Sequence, residues 1–319
     1  MSDIGEIYTD EQIKEIERRI KKVYSRASKE IQKKTDEFIS QFERLDKEKR
    51  RQVRNGTLSK EDYQKWKENK VFNREVWKSK QKDCTNILTN ANKMAMDIAN
   101  GKTWDVFIEN ANYTLYDIEK QLGMDLSFSI YNTEAVKRLI VEEPNLLPEP
   151  SVNIPKDKAW NMKKIDYQVT QSIIQGESIP ELAERLIDVV GHNQGNMLMH
   201  ARTMMTGAQN AGRLRGMMDA QRKGVNLKKT WMSAHDNHVR ELHRALDGES
   251  VELEEPFEIG GYEIMYPGDP DAEPSMVYNC RCALSNEVDM DNPINLDKII
   301  YDNYEEDFDL EEWLEMHGG

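Results

Sequence analysis

The residues best equipped for chemistry lie between positions 229 and 284. Cys280 and Cys282 stand one residue apart, with His243, Asp236 and His235 upstream. Two thiols and an imidazole are zinc donors, and a carboxylate can complete a tetrahedral set. The reading is a trio of His243, Cys280 and Cys282, with Asp236 or His235 as a fourth ligand. The Cys-x-Cys spacing is tighter than the usual Cys-x-x-Cys knuckle, and a bridge between these two cysteines would be strained. With Cys84 the chain has 3 cysteines, an odd number that argues against a disulfide framework. A polar core is the other reading of the same residues. There Asp236 pairs with Arg240, four positions on, while Arg281 and His243 hold strands in register through hydrogen bonds. No organic cofactor is expected, and zinc is the metal the pattern admits.

A catalytic reading gains little support. His235, His238 and His243 beside Asp236 could serve a metal-dependent nuclease, but hydrolytic sites converge several carboxylates or histidines on one water or phosphate. The sequence contains no Walker loop, no G-x-S-x-G, no H-E-x-x-H and no pair of spaced cysteine couples. The expectation is a protein with no catalytic residues and no small-molecule substrate.

These residues must be carried by elements that the patterning predicts. Residues 10–54 read as one long helix, with Ile13, Ile16, Ile20, Val23, Ala27, Ile31, Phe38, Phe42 and Leu45 at three/four spacing. Asn55-Gly56 ends it. Ser59 and Asp62 form a variant capping box for a second helix, which ends near Asn100-Gly101. A third runs over 104–122. The stretch 143–157 holds Pro144, Pro148, Pro150 and Pro155 and reads as a linker, because proline cannot continue a helix. Helices are then predicted over 157–175, 180–190 and 194–222, with a loop at Val190-Gly191-His192-Asn193. After Gly224 the period changes to that of strands, at 229–233, at 251–253 and beginning at Val277-Tyr278, with turns at Asp247-Gly248, Gly260-Gly261 and Pro267-Gly268. The expected fold class is α+β, mostly α: a long N-terminal helical hairpin or bundle, a helical segment, and a small C-terminal α+β domain with an acidic tail. Its parts are 1–142, the linker 143–157, a domain over 158–284 and the tail 285–319. Residues 10–122 are expected to make few contacts with the C-terminal unit.

Charge separates the two ends. The net charge of -14 combines 24 Lys/Arg against 18 Asp/Glu over residues 1–100 with 1 against 12 over 285–319. Such asymmetry implies different partners at the two ends. The run Lys49, Arg50, Arg51 and Arg54 either complements the C-terminal dipole of its helix or contacts packaged DNA or an acidic protein rim. The tail, with Tyr304, Phe308 and Trp313 among acids, reads as a segment that docks on a partner. There is no apolar run of membrane-spanning length and no signal peptide. No membrane association is expected, and synthesis is expected in the cytoplasm.

Between 229 and 284 the sequence also follows an ordered pattern: Trp231 on a strand, then Asp236, Arg240, His243 and Leu246-Asp247-Gly248. Phe257 after a proline comes next, then Pro267-Gly268-Asp269-Pro270 and Asn279-Cys280-Arg281-Cys282. In this it resembles the phage Mu F-like minor head proteins, also called head morphogenesis proteins. Ala201-Arg202-Thr203 and Asn210-Ala211-Gly212 look like the helix that precedes the pattern in that family, with Met204 where an acid often stands. The resemblance covers about 157–284. It implies a structural protein of the phage head, built into the procapsid in few copies and associated with the portal vertex, with an influence on DNA packaging or ejection. Implied partners are the portal protein and other head proteins (capsid or scaffold), with packaged double-stranded DNA as a further one. The implied location is the virion, after assembly in the host cytoplasm. A DNA-binding protein inside the head is the alternative, and a nuclease or toxin-like enzyme a second. Related domains occur in toxins carrying an additional effector domain, for which a chain ending at Gly319 is expected to leave no room.

Overall fold

The structure, a computed structural model, describes residues 3–72, 74–132, 135, 154–175 and 179–295. The tail residues Tyr304, Phe308 and Trp313 and most of the proline-rich stretch lie outside the described residues.

Helix α1 spans Ile4–Arg54, about 75 Å at 1.5 Å per residue. Its buried stripe is Ile16, Ile20, Val23, Ala27 and Ile31, the predicted three/four spacing. Gly56, at φ +74°, turns the chain out of the helix, a conformation glycine adopts without penalty. Helix α2, Lys60–Phe72, starts on the Ser59 cap, whose hydroxyl accepts from the Asp62 amide at 2.9 Å.

Helix α3 runs unbroken over Arg74–Leu122, so the predicted stop at Asn100-Gly101 is not a stop. Gly101 is exposed and costs only about 1 kcal/mol relative to alanine. The buried Ala99, Thr103, Val106 and Phe107 on either side outweigh it. Helix α4 is Ile154–Gln175. Helix α5 spans Ile179–Arg222, and the expected loop at 190–193 is helical. The reason is Asn193: it is buried, donates to the Val189 carbonyl at 2.9 Å and accepts from Asn92 at 3.2 Å. A residue that favours turns when exposed is thus satisfied inside a helix. The two-helix reading of 180–222 is replaced by one helix.

The C-terminal strands form two small antiparallel sheets. Strand β1 is Leu227–Met232, β2 Ser250–Val251 and β5 Ala283–Val288, in the order β2-β1-β5. The register sets Trp231 opposite Leu284 and Lys229 opposite Val251. Strands β3, Phe257–Ile259, and β4, Tyr262–Ile264, close a hairpin over Gly260-Gly261. Both glycines have positive φ, +61° and +84°, as a two-residue hairpin turn requires. Helix α6 is Glu241–Ala245 and α7 is Pro274–Val277. The strand expected to begin at Val277-Tyr278 is therefore the end of a helical turn. Pro274 occupies its first position, where a fixed φ favours the helix, and the strand begins only at Ala283.

The chain divides into two compact units. One comprises residues 1–17, 98–150 and 199–319, the other 18–97 and 151–198. In the first, Leu115 and Ile118 of α3 and Leu214 and Met217 of α5 share one core with Trp231, Leu246, Phe257, Met276, Cys280, Cys282 and Leu284. The expected isolation of residues 10–122 from the C-terminal unit thus does not hold. Strands of two to six residues cannot enclose a core alone, and α3 and α5 supply the missing walls. Gly212 permits the close approach: a Cβ there would lie 2.3 Å from the Phe107 carbonyl oxygen.

The second unit is helical. Tyr24 donates to Asn92 Oδ1 at 2.6 Å, Asn92 donates to Asp157 at 3.2 Å, and Asn161 donates to Thr89 at 3.3 Å. Burial pushes the Tyr24 phenol well above its ordinary range. These bonds satisfy polar groups within an otherwise apolar packing of Val23, Leu88, Ala91, Ile165, Leu186 and Val190. Among the described residues no helix is long and apolar enough to cross a membrane.

Candidate functional site

The site is assembled by three segments of the first unit. Helix α6 carries His243. The turn after α7 carries Asn279, Cys280, Arg281 and Cys282. Helix α5 lies against that turn.

Asn279 adopts φ +56°, a left-handed conformation that asparagine tolerates better than most residues, and this brings the two cysteines back toward α6. His243 Nδ1 lies 3.5 Å from Cys280 Sγ and 3.6 Å from Cys282 Sγ. The three donor atoms fall within 4.8 Å of one another, and the residues are 1%, 2% and 3% exposed. The Cys282 thiol donates toward Cys280, so this hydrogen bond holds the Cys280 thiol below its ordinary value and, with burial, the Cys282 thiol well above its own. Trp231 meets the His243 ring edge-on at 5.1 Å and Phe257 at 5.3 Å, so aromatic faces wall the trio on the β1 side. His243 Nε2 is buried without a hydrogen-bonding partner among the described residues.

Helix α5 fixes the cysteine segment by reading its backbone. Thr203 Oγ1 accepts from the Asn279 amide at 3.0 Å. Thr206 donates to the Cys280 carbonyl at 2.8 Å. Asn210 donates to the Cys282 carbonyl at 3.1 Å and to the Pro267 carbonyl at 2.9 Å, and accepts from the Leu284 amide at 2.7 Å. Arg213 donates to the Leu284 carbonyl at 2.8 Å and pairs with Asp3 at 2.6 Å. Positions 203, 206, 210 and 213 fall on one helical face. Sequence reasoning missed this clamp. Its available signal was the recurrence of polar residues at core spacing on an otherwise apolar and small-residue helix.

The expected fourth ligands do not join the trio. Asp236 pairs with Arg281 at 2.5 Å and accepts from the His238 amide at 2.8 Å. Hydrogen bonding from Arg281 holds its carboxyl below the usual range. His235 faces Asp247 at 3.5 Å. The polar-core alternative is also altered in detail, since Asp236 pairs with Arg281 and not with Arg240. Arg240 instead donates to the Tyr278 carbonyl. Cys-x-Cys alternation explains this: with both thiols turned inward, the intervening Arg281 points outward to Asp236. Asp247 accepts from the Ser233 amide at 2.7 Å, and the Gly248 amide donates to the Trp231 carbonyl at 2.8 Å, which anchors the loop between β1 and β2. Met204 is half-buried on α5.

The basic run is placed at the end of α1. Arg50 pairs with Asp46 at 2.7 Å and donates to the Tyr63 hydroxyl at 3.1 Å. Arg51 and Arg54 are exposed and Lys49 is half-exposed.

Comparison with known proteins places this arrangement. Residues 163–285 match the family model described as Phage Mu protein F like protein. The chain is 27% identical over 287 residues to the minor head protein GP7 of Bacillus phage SPP1, covering 90% of this chain and 86% of that protein. It is 26% identical over 178 residues to the NAD(+)--arginine ADP-ribosyltransferase EFV of Enterococcus faecalis, covering 56% of this chain but only 36% of that protein. It is 25% identical over 221 residues to an uncharacterized protein of Haemophilus influenzae, covering 69% of this chain and 45% of that protein. No solved structure matches. Over residues 163–285, the segment that carries much of α5, the clamp and the buried trio, the chain is similar to the Phage Mu protein F like family.

Proposed function

We propose that the chain is a minor head protein of a tailed bacteriophage, acting structurally and without catalysis in procapsid assembly at or near the portal. The observation that carries this is the match to the SPP1 minor head protein, which extends along 90% of this chain and 86% of that protein and so is not confined to one shared module. The interior of the Mu F-like segment supports a structural part: its polar side chains are spent on holding backbone, and the donor cluster found among the described residues is sealed from solvent. The ADP-ribosyltransferase shares only 36% of its length with this chain, and the activity in its name is not carried over.

The partners in this reading are the portal protein and the neighbouring head proteins, and from that position the protein influences DNA packaging or ejection. The acidic, aromatic tail over 301–316 is proposed as a docking element, because its 285–319 surroundings carry 12 acids to 1 base and such a segment orders best on a basic surface. Co-expression with the portal protein of the same phage tests the proposal. Co-elution as a complex is expected, weakened when 301–319 is deleted. A chain that separates from the portal but binds duplex DNA with steep salt dependence would overturn this reading in favour of the DNA-binding alternative.

A further inference from the structure

We propose that His243, Cys280 and Cys282 form a structural zinc site, with His243 coordinating through Nδ1. Zinc takes nitrogen at about 2.0–2.1 Å and thiolate sulfur at about 2.3 Å in tetrahedral geometry, so the nitrogen-to-sulfur edge of such a site is about 3.5 Å. The two edges here are 3.5 and 3.6 Å. Both nitrogen-to-sulfur edges match those of one tetrahedral ion, and all three donor atoms fall within 4.8 Å of one another.

The surroundings support a metal over a purely hydrogen-bonded knot. An imidazole and two thiols are buried together in a cluster otherwise built from Trp231, Leu246, Phe257, Leu253 and Leu284. Their only mutual bonds involve sulfur, a weak donor and weak acceptor, a poor return for burying three polar groups. The backbone around them is fixed in advance by Thr206 and Asn210, outer support of the kind that orients metal ligands. Trp231 fixes the imidazole plane from the side. The ion would tie α6 to the segment leading into β5, joining pieces 37 and 39 residues apart in sequence. Binding is balanced by proton release: each thiol gives up its proton as its sulfur takes a zinc bond, and neutral His243 contributes a lone pair. Among the described residues the chain supplies three of zinc's four donors.

The test is metal content of the untagged full-length chain, purified without chelators and measured by mass spectrometry, then repeated on protein expressed with cobalt(II) alone. The expected result is about one zinc per chain, and for the cobalt protein a sulfur-to-cobalt charge-transfer band with the visible bands of tetrahedral cobalt. Cys84→Ser and Asp236→Asn should keep the metal, and Cys282→Ser should lose it. If Cys282→Ser fails to fold, the wild-type stoichiometry and cobalt spectrum still decide. Folded wild-type protein with less than about a tenth of an equivalent of metal and no cobalt bands overturns the proposal, as does loss of the metal in Cys84→Ser or Asp236→Asn.

Discussion

Replacing Asn210 with alanine should be among the most damaging single changes in the Mu F-like segment. Asn210 is fully buried and serves three backbone groups outside its own helix: the Pro267 and Cys282 carbonyls and the Leu284 amide. Alanine leaves the Leu284 N–H buried without a partner, at about 1–3 kcal/mol, and weakens the bonding of two carbonyls at about 0.5–1.5 kcal/mol each. The sum is about 2–6 kcal/mol, against a total stability of about 5–15 kcal/mol for an ordinary domain. The assay is urea denaturation followed by circular dichroism, joined to hydrogen exchange at the Leu284 amide, with exposed Asn237→Ala as the reference, expected within about 0.5 kcal/mol of wild type. The variant should unfold at distinctly lower urea and lose protection at Leu284. A loss below about 1 kcal/mol with that amide still protected would refute the clamp as a determinant of the site.

Other outcomes follow from the same physics. Gly212→Ala should destabilise by about 1–3 kcal/mol or more through overpacking, since its Cβ would meet the Phe107 carbonyl at 2.3 Å. Gly101→Ala, with nothing within 4 Å, should stabilise by about 0.5–1 kcal/mol; thermal melts of the pair check both. Burial pushes the Lys229 ammonium down to about 8, although it donates to the Leu253 carbonyl at 3.0 Å. Because the folded value lies below the unfolded one, the unfolded chain binds more protons between about pH 8 and 10, and the penalty present below pH 8 is relieved as pH rises. The stability of wild type relative to Lys229→Met should therefore improve by about 2 kcal/mol from pH 7 to 9.5, and a pH-independent difference would refute the buried charge. Asp236→Asn should leave the melting temperature nearly unchanged, since its pair with Arg281 is at the surface.

The sequence revealed long-range proximity better than local boundaries. His243, Cys280 and Cys282 were grouped correctly because Cys-x-Cys turns both thiols to one side and the intervening residue to the other. Asp236 and His235, read from the sequence as a further ligand, stand apart from the trio: the same alternation sends Arg281 outward, where it claims Asp236, and His235 faces Asp247. Helix α1 was legible from its stripe alone. Helices α3 and α5 were each broken too early, at Gly101 and at 190–193, since local propensity cannot register that Asn193 is satisfied by Asn92 from another helix. The roles of Thr206, Asn210 and Arg213 were hidden for a related reason. A polar residue on a helix looks solvent-facing until the backbone it serves is placed beside it.

Strand β5 borders the three-stranded sheet, and a sheet border is where a second chain most readily adds itself. Here both backbone groups of Leu284 are engaged by Asn210 and Arg213. Further along, the Asn286 side chain is held by Asp117 and Gln121 of α3. An incoming strand would have to displace a buried amide and a guanidinium before gaining its first hydrogen bond. The clamp that shapes the cysteine segment therefore also works as a stopper. Edge-to-edge addition of a second copy at this point of the border is opposed by side chains of the same chain.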